Sequence, residues 1–387
     1  MGLAQYSPRE MIDKLISFDT TSRESNLALI DFIADYLSGL GVHSTVIPDE
    51  TGKKANLFAT LGPDVDGGVV LSGHTDVVPV DGQDWDSDPF GVIEADGKLF
   101  GRGTCDMKSF IAIATALAPE MVAAKLKTPI HFAFSYDEEI GCLGVGGIIK
   151  HIDGLTTKPR AVIVGEPTSM KVVNAHKGGC SLSTLVHGLE AHSSATQKGV
   201  SSIIYAAKLI NFLDEIAQEL RDGPKLERFE PPYTTIQVGL INGGTATNII
   251  PKETLFRWEF RAVSNAQGDE IIARFNAFAE EKVLPHMRAV YPEARIETQI
   301  NNRVPPLMPD DGSDAETLAL ALVNSNQTYA VSYGTEGGLF QLDAGIPAVI
   351  CGPGSIDQAH KPNEWIELSE VQACEDFVRK LIDHLAA

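Results

Sequence analysis

Three short apolar runs, far apart in the chain, each give way to ionisable residues, and this pattern constrains the fold more than any other feature. Val69-Val70-Leu71 leads into Ser72-Gly73-His74-Thr75-Asp76, Ile130 to Phe134 into Tyr136-Asp137-Glu138-Glu139, and Ala161 to Val164 into Gly165-Glu166-Pro167. Uninterrupted apolar runs of this length suit strands buried on both faces, and Asn56 to Leu61 and Ala348 to Ile350 have the same character. In open α/β sheets ligands bind beyond the carboxyl ends of the strands, so the ionisable residues are expected to converge on one edge.

Helical periodicity fills the intervals. Ser7-Pro8-Arg9-Glu10 has capping-box spacing with Pro at the first helical position, followed by Met11, Ile12, Leu15 and Ile16. A second helix is expected through Leu27, Ile30, Ala34 and Leu37, ending at Gly39-Leu40-Gly41, a third from about Ser109 to Ala124 and a last from Ser369 to Leu385. From about Gly179 to Pro292 the pattern changes: Ser181 to Val186, Thr234 to Ile241 and Thr254 to Ala262 alternate, while Ile203 to Leu220 and Ile271 to Val290 are helical. Alternating strands suit a sheet covered on one side only. The expected architecture is therefore α/β, with residues 1–178 and 293–387 forming one domain and residues 179–292 an inserted α+β domain.

A chain of 387 residues exceeds the size at which one hydrophobic core usually stops growing, which agrees with two domains. A formal charge of -21 opposes a nucleic-acid partner, and no apolar stretch is long enough to span a membrane. The start, MGLAQYSPRE, carries neither the basic nor the apolar region of an export signal, and the five cysteines, without any Cys-x-x-Cys, suit reduced thiols in a cytoplasm. Gly144-Val145-Gly146-Gly147 lacks the spacing and Lys-Ser/Thr ending of a phosphate-binding loop and reads as a turn into a helix.

The ionisable residues form a chemically coherent set. His74-x-Asp76 can ligate a metal through one imidazole nitrogen while the carboxylate fixes the tautomer through the other. Two histidines, a bridging Asp, two further carboxylates and a spare Glu suit a pair of divalent ions sharing one water. Without cations, carboxylates gathered at close range would repel one another.

The chain resembles the aminoacylase/acetylornithine deacetylase/succinyl-diaminopimelate desuccinylase family of metallopeptidases over nearly its whole length. The resemblance rests on Gly73-His74-Thr75-Asp76-Val77-Val78-Pro79, Trp85 to Pro89, Gly101-Arg102-Gly103-Thr104-Cys105-Asp106-Met107-Lys108, Asp137-Glu138-Glu139, Gly165-Glu166-Pro167-Thr168-Ser169 and Gly352 to His360, in family order. It implies a mixed sheet flanked by helices, with the insert as a lid and dimerisation domain. It also implies two zinc or cobalt ions: Asp106 bridges them, His74 and Glu166 complete one site, and Glu139 and His360 the other. Asp76 is expected to orient His74, Glu138 to act as general base, and the Asp106–Met107 peptide to be cis. His192, in Gly188-Leu189-Glu190-Ala191-His192-Ser193-Ser194, is expected to steady the oxyanion, Asn248 and Arg261 to meet the substrate carboxylate region, and Glu336 an ammonium group.

Within the family the motifs most resemble acetylornithine deacetylases, which implies a small N-acylated amino acid as substrate, N-acetylornithine foremost, and a homodimer without nucleic-acid or membrane partners. A diaminopimelate desuccinylase and a carboxypeptidase or dipeptidase are the nearest alternatives. A non-catalytic binding protein on the same fold is disfavoured, because all five ligands and the base are present.

Overall fold

The computed structural model describes residues 5–387. The chain divides into two compact units, one formed by residues up to Ala175 together with Leu307–Tyr329 and Thr335–Ala387, the other by His176–Pro306 with Ala330–Gly334. No helix among the described residues is long and apolar enough to cross a membrane.

In the first unit an eight-stranded sheet runs, in spatial order, Ser44–Pro48, Ala55–Leu61, Ile130–Ser135, Gly68–His74, Pro159–Pro167, Ala348–Gly352, Val173–His176 and Tyr329–Val331. The middle four strands, Ile130–Ser135 to Ala348–Gly352, are mutually parallel, and all but Arg160 of their residues are buried. Burial on both faces explains why they read as continuous apolar runs rather than alternating ones. Helices Pro8–Ile16, Leu27–Gly39, Lys108–Ala116 and Leu368–Ala386 share a core with Val69, Leu71, Phe132, Phe134 and Ile163.

The first helix has the full capping box, with Ser7 Oγ accepting from Glu10 N and Glu10 reaching back to Ser7 N. The helix expected over 109–124 is broken in two, Lys108–Ala116 and Ala118–Ala123, because Pro119 suits a first turn but not a helix interior. Gly144 does introduce a helix, Val145–Asp153. The helix Lys108–Ala116 lies hard against the sheet: a Cβ at Gly165 would fall 2.1 Å from the Phe110 ring. Only glycine fits there, one residue before Glu166.

The second unit is an antiparallel sheet ordered Thr235–Gly243, Glu253–Ala262, Gly178–His187 and Arg295–Val304. Alternate residues of its middle strands, Leu182, Val186, Phe256, Trp258 and Phe260, join Leu209 and Leu213 of helix Ser202–Asp222 and Phe275 of helix Asn265–Phe278 in one core. That is a sheet covered by helices on one side. The helix expected over 271–290 changes to a π turn at Ala279–Val283 before Leu284–Arg288, which begins with Pro285 near its first position. The sheet also extends past residue 292, where the sequence places the end of the insert. Its fourth strand, Arg295–Val304, is largely exposed and bulged between Ile300 and Asn302, so no apolar run marks it.

Candidate metal centre

Parallel strands bring their carboxyl ends to one edge, and the ionisable residues follow them there. His74 ends the strand Gly68–His74, Glu138 and Glu139 lie just past Ser135, Glu166 is the penultimate residue of Pro159–Pro167, and His360 sits beyond Gly352. Asp106 arrives on the turn before helix Lys108–Ala116, where the Asp106–Met107 peptide is cis. Asp137 and His360 have φ of 56° and 61°, in the left-handed region that few non-glycine residues adopt and that Asp and His tolerate better than most.

The structure brings all five expected ligands together. His74 Nε2 is 3.1 Å from Asp106 Oδ1 and 3.5 Å from Glu166 Oε1, while His360 Nε2 is 3.2 Å from Asp106 Oδ2 and 3.0 Å from Glu139 Oε2. Asp106 thus turns one oxygen toward each histidine. Donor atoms of His74, Asp106 and Glu139 lie within 4.8 Å of one another, as do those of His74, Glu138 and Glu166. Glu139 Oε1 and Glu166 Oε1 are buried without a hydrogen-bond partner. Such orphaned oxygens are costly unless something electropositive meets them, and with two imidazoles and a two-sided carboxylate they fit divalent cations.

Electrostatics agrees. Burial, then the charge of Asp106, pushes Glu166 well above the ordinary carboxylate range and also raises Glu139. Burial lifts Glu138 to about 8, opposed by His74 and reinforced by Glu139 and Glu336. Burial alone would raise Asp106, but its hydrogen bonds to His360 and His74 hold it well below its usual value. His360 in turn is raised to about 10 by Asp106 and Glu139. His74 is raised despite its burial, by Glu166 and Asp106. Carboxylates crowded into a buried place need positive charge, and here the histidines face them.

Asp76 faces His74 through two groups. Its carboxylate stands 3.6 Å from His74 Nδ1, too far for a hydrogen bond, whereas its backbone carbonyl accepts from that nitrogen at 2.9 Å. The carbonyl can only accept, so Nδ1 carries the proton and Nε2 is left to ligate. The freed carboxylate accepts from Glu138 N at 3.1 Å and Glu139 N at 3.3 Å, and from Ser22 Oγ at 2.7 Å. Asp76 therefore holds the turn that carries Glu138 and Glu139, and Ser22 braces it. Lys54 Nζ donates to both Ser22 O and Asp137 Oδ1, closing the same turn from the other side. Sequence reading passes over Ser22, whose only signal is the cluster of hydroxyls Thr20-Thr21-Ser22 after the first helix, and over Lys54, which has none. Cys142 Sγ donates to Glu138 Oε1 at 3.3 Å.

Glu336 is 1% exposed, with one oxygen accepting from Ser72 Oγ at 3.2 Å and the other buried without a partner. Burial pushes its carboxyl to about 7. In the second unit His192 is exposed on the short strand pair Ala191–His192 with Ile249–Ile250. Its Nδ1 lies 2.8 Å from Ser194 Oγ and 3.2 Å from Ser194 N, which leaves Nε2 free of the local turn. Asn248 lies beside it, with its carbonyl accepting from Ser193 N at 3.0 Å. Arg261 pairs with Glu259 at 3.2 Å across one face of its strand.

Residues 70–384 match the family described as peptidase family M20/M25/M40. An acetylornithine deacetylase from Pasteurella multocida is 32% identical over 382 residues, 98% of this chain and 97% of that protein. Among solved structures, an M20 family metallo-carboxypeptidase from Sulfolobus solfataricus superposes with a TM-score of 0.76 at 17% identity, covering 98% of this chain and 99% of that one. A dinuclear metal-binding peptidase of the M20 family from Bacillus subtilis superposes with a TM-score of 0.64 at 16% identity, covering 98% of each chain. The chain belongs to peptidase family M20/M25/M40 and is a metal-dependent hydrolase.

Proposed function

We propose that this hydrolase cleaves the amide of a small N-acylated amino acid, with N-acetylornithine the leading substrate, and that it works with two zinc or cobalt ions. The observation that carries the reading is the two-sided Asp106, with His74 and Glu166 on one oxygen's side and His360 and Glu139 on the other's. The likeness to a deacetylase along almost the whole of both chains favours an acyl amino acid over a longer peptide.

His74, Glu166 and Asp106 would hold one ion, and Glu139, His360 and Asp106 the other. When bound, the pair would polarise the scissile carbonyl and lower the pKa of a shared water. Glu138 is left outside the ligand set, and the turn braced by Asp76 aims it. It takes the proton of the attacking water and returns it to the leaving amine, the task of a positioned general base and acid. His192, whose Nδ1 is engaged by Ser194, would offer its Nε2 as the donor that a developing oxyanion needs. A homodimer with the insert as its pairing domain completes the proposal.

A metal-reconstituted enzyme assayed against N-acetylornithine, N-succinyl-diaminopimelate, N-acetylmethionine and a dipeptide panel tests the substrate. The highest kcat/KM is expected for N-acetylornithine; preference for a dipeptide would overturn the assignment. Replacement of the shared ligand tests the metal reading. Asp106→Ala is expected to lose bound metal by elemental analysis and the metal-dependent rise in Tm that any ligand of the native state confers. A variant that kept both ions and near-normal activity would remove the bridging role.

A further inference from the structure

The turn that carries Asp106 has no regular secondary structure to hold it, yet each of its amides from Gly101 to Asp106 has an acceptor, and for three of them that acceptor is a carboxylate the ligand set does not include. Glu364 Oε1 accepts from three consecutive-turn amides, Gly103 N at 3.1 Å, Cys105 N at 2.8 Å and Asp106 N at 3.0 Å. Its other oxygen meets Arg102 Nη1 at 2.6 Å, and both side chains are only 1% exposed. Gly101 N donates to the Glu364 backbone carbonyl at 2.9 Å. From the far side of Arg102, Nη2 donates to Gln83 Oε1 at 2.7 Å, and Gln83 Nε2 donates to the carbonyl of His360 at 3.2 Å. The path from Asp106 through Glu364, Arg102 and Gln83 thus closes on His360, itself four residues before Glu364 and held at φ 61°.

We propose that Glu364, clamped by Arg102, is the positioning residue that holds the Asp106 turn and the His360 turn as one frame, with Gln83 as its link to His360, and that this frame sets the affinity of the ion those two ligands share with Glu139. The inference rests on the two-metal reading above. Neither Glu364 nor Arg102 touches an ion. Their effect is on where the ligands stand, and outer groups of this kind typically change metal affinity by about 10–100-fold.

Removing one partner alone would strand a buried charge, so the pair is changed together. Glu364→Leu with Arg102→Met deletes the charge and the acceptor. Glu364→Gln with Arg102→Met deletes the charge but keeps an oxygen for the three amides. Gln83→Leu, at a half-buried side chain, cuts the link to His360 and the acceptor for Arg102 Nη2 and Trp85 Nε1, and leaves the Glu364–Arg102 pair in place. Each full-length chain is stripped by a chelator, checked for its fold by circular dichroism, and titrated with Co2+ by calorimetry and by the visible absorption of the bound ion. Wild type is expected to take up two ions. The Leu/Met pair and Gln83→Leu are expected to weaken at least one binding step by about 10–100-fold, and the Gln/Met pair, which keeps an acceptor for the three amides but lacks the Arg102 link to Gln83, to weaken it by less than the Leu/Met pair. Both Co2+ affinities unchanged in Gln83→Leu and in the Leu/Met pair would overturn the inference while leaving the metal reading intact, and if the Leu/Met pair does not fold, Gln83→Leu decides alone. Equal loss in the Gln/Met and Leu/Met pairs would overturn the acceptor role. A wild-type chain that binds fewer than two ions would overturn the metal reading and this inference with it.

Discussion

Glu138→Ala is expected to lower kcat by about 10²–10⁴-fold while the chain still binds two divalent ions. The effect corresponds to about 3–5 kcal/mol of transition-state stabilisation, the range a positioned general acid and base supplies. Metal is retained because each ion keeps its histidine and its own carboxylate, together with the shared Asp106. The turn is retained because Asp76 holds it through the amides of residues 138 and 139, which an alanine leaves in place. Glu138→Gln keeps a side-chain acceptor for Cys142 and the shape of the site but cannot take up a proton, so it should be nearly as impaired. Elemental analysis beside steady-state kinetics checks both halves. If the alanine variant lost an ion, Glu138 would be a ligand, consistent with its proximity to His74 and Glu166, and another group would have to move the proton.

How much of this was legible depends on where each residue's partner lies. His74, Glu139 and Glu166 each follow a buried strand, whose apolar run is visible as such, and the rule that parallel strands end at a ligand edge places them together. Asp106 and His360 stand on irregular turns, and no periodicity points to them; only the motifs Gly101 to Lys108 and Gly352 to His360 do. Glu364 escaped because its partners are backbone amides, which every sequence contains and none displays, and because Lys361-Pro362-Asn363-Glu364 offers no pattern of its own. For Asp76, spacing identifies a residue that can reach His74 and does not say how its carbonyl and its carboxylate divide that contact. The strand Arg295–Val304 was missed for a third reason, since an exposed edge strand buries too little to show alternation and the bulge at Ile300 interrupts what there is. Pro119 and Pro285, by contrast, were visible breakers inside runs whose apolar periodicity continues across them.

His192→Ala is expected to cost about 10²–10³-fold in kcat, the usual effect of removing one donor to an oxyanion, with metal content unchanged. In the homodimer proposed above, the family resemblance implies that the insert would pair with its two-fold mate and supply this histidine to the neighbouring subunit's site. Mixing decides the matter. If subunits of Glu138→Ala and His192→Ala are reassorted at random, half the dimers are mixed. With the histidine donated across the dimer, each mixed dimer has one site with neither substitution and one with both, so about one site in four regains activity. With the histidine acting in its own chain, every site keeps one defect and no activity returns. Mass spectrometry of intact dimers establishes that the mixed species is present. Recovery near a quarter of the wild-type rate would require both that the protein is a dimer and that Glu138 and His192 serve one site from different chains. Absence of recovery in a preparation containing mixed dimers would leave the insert without that role.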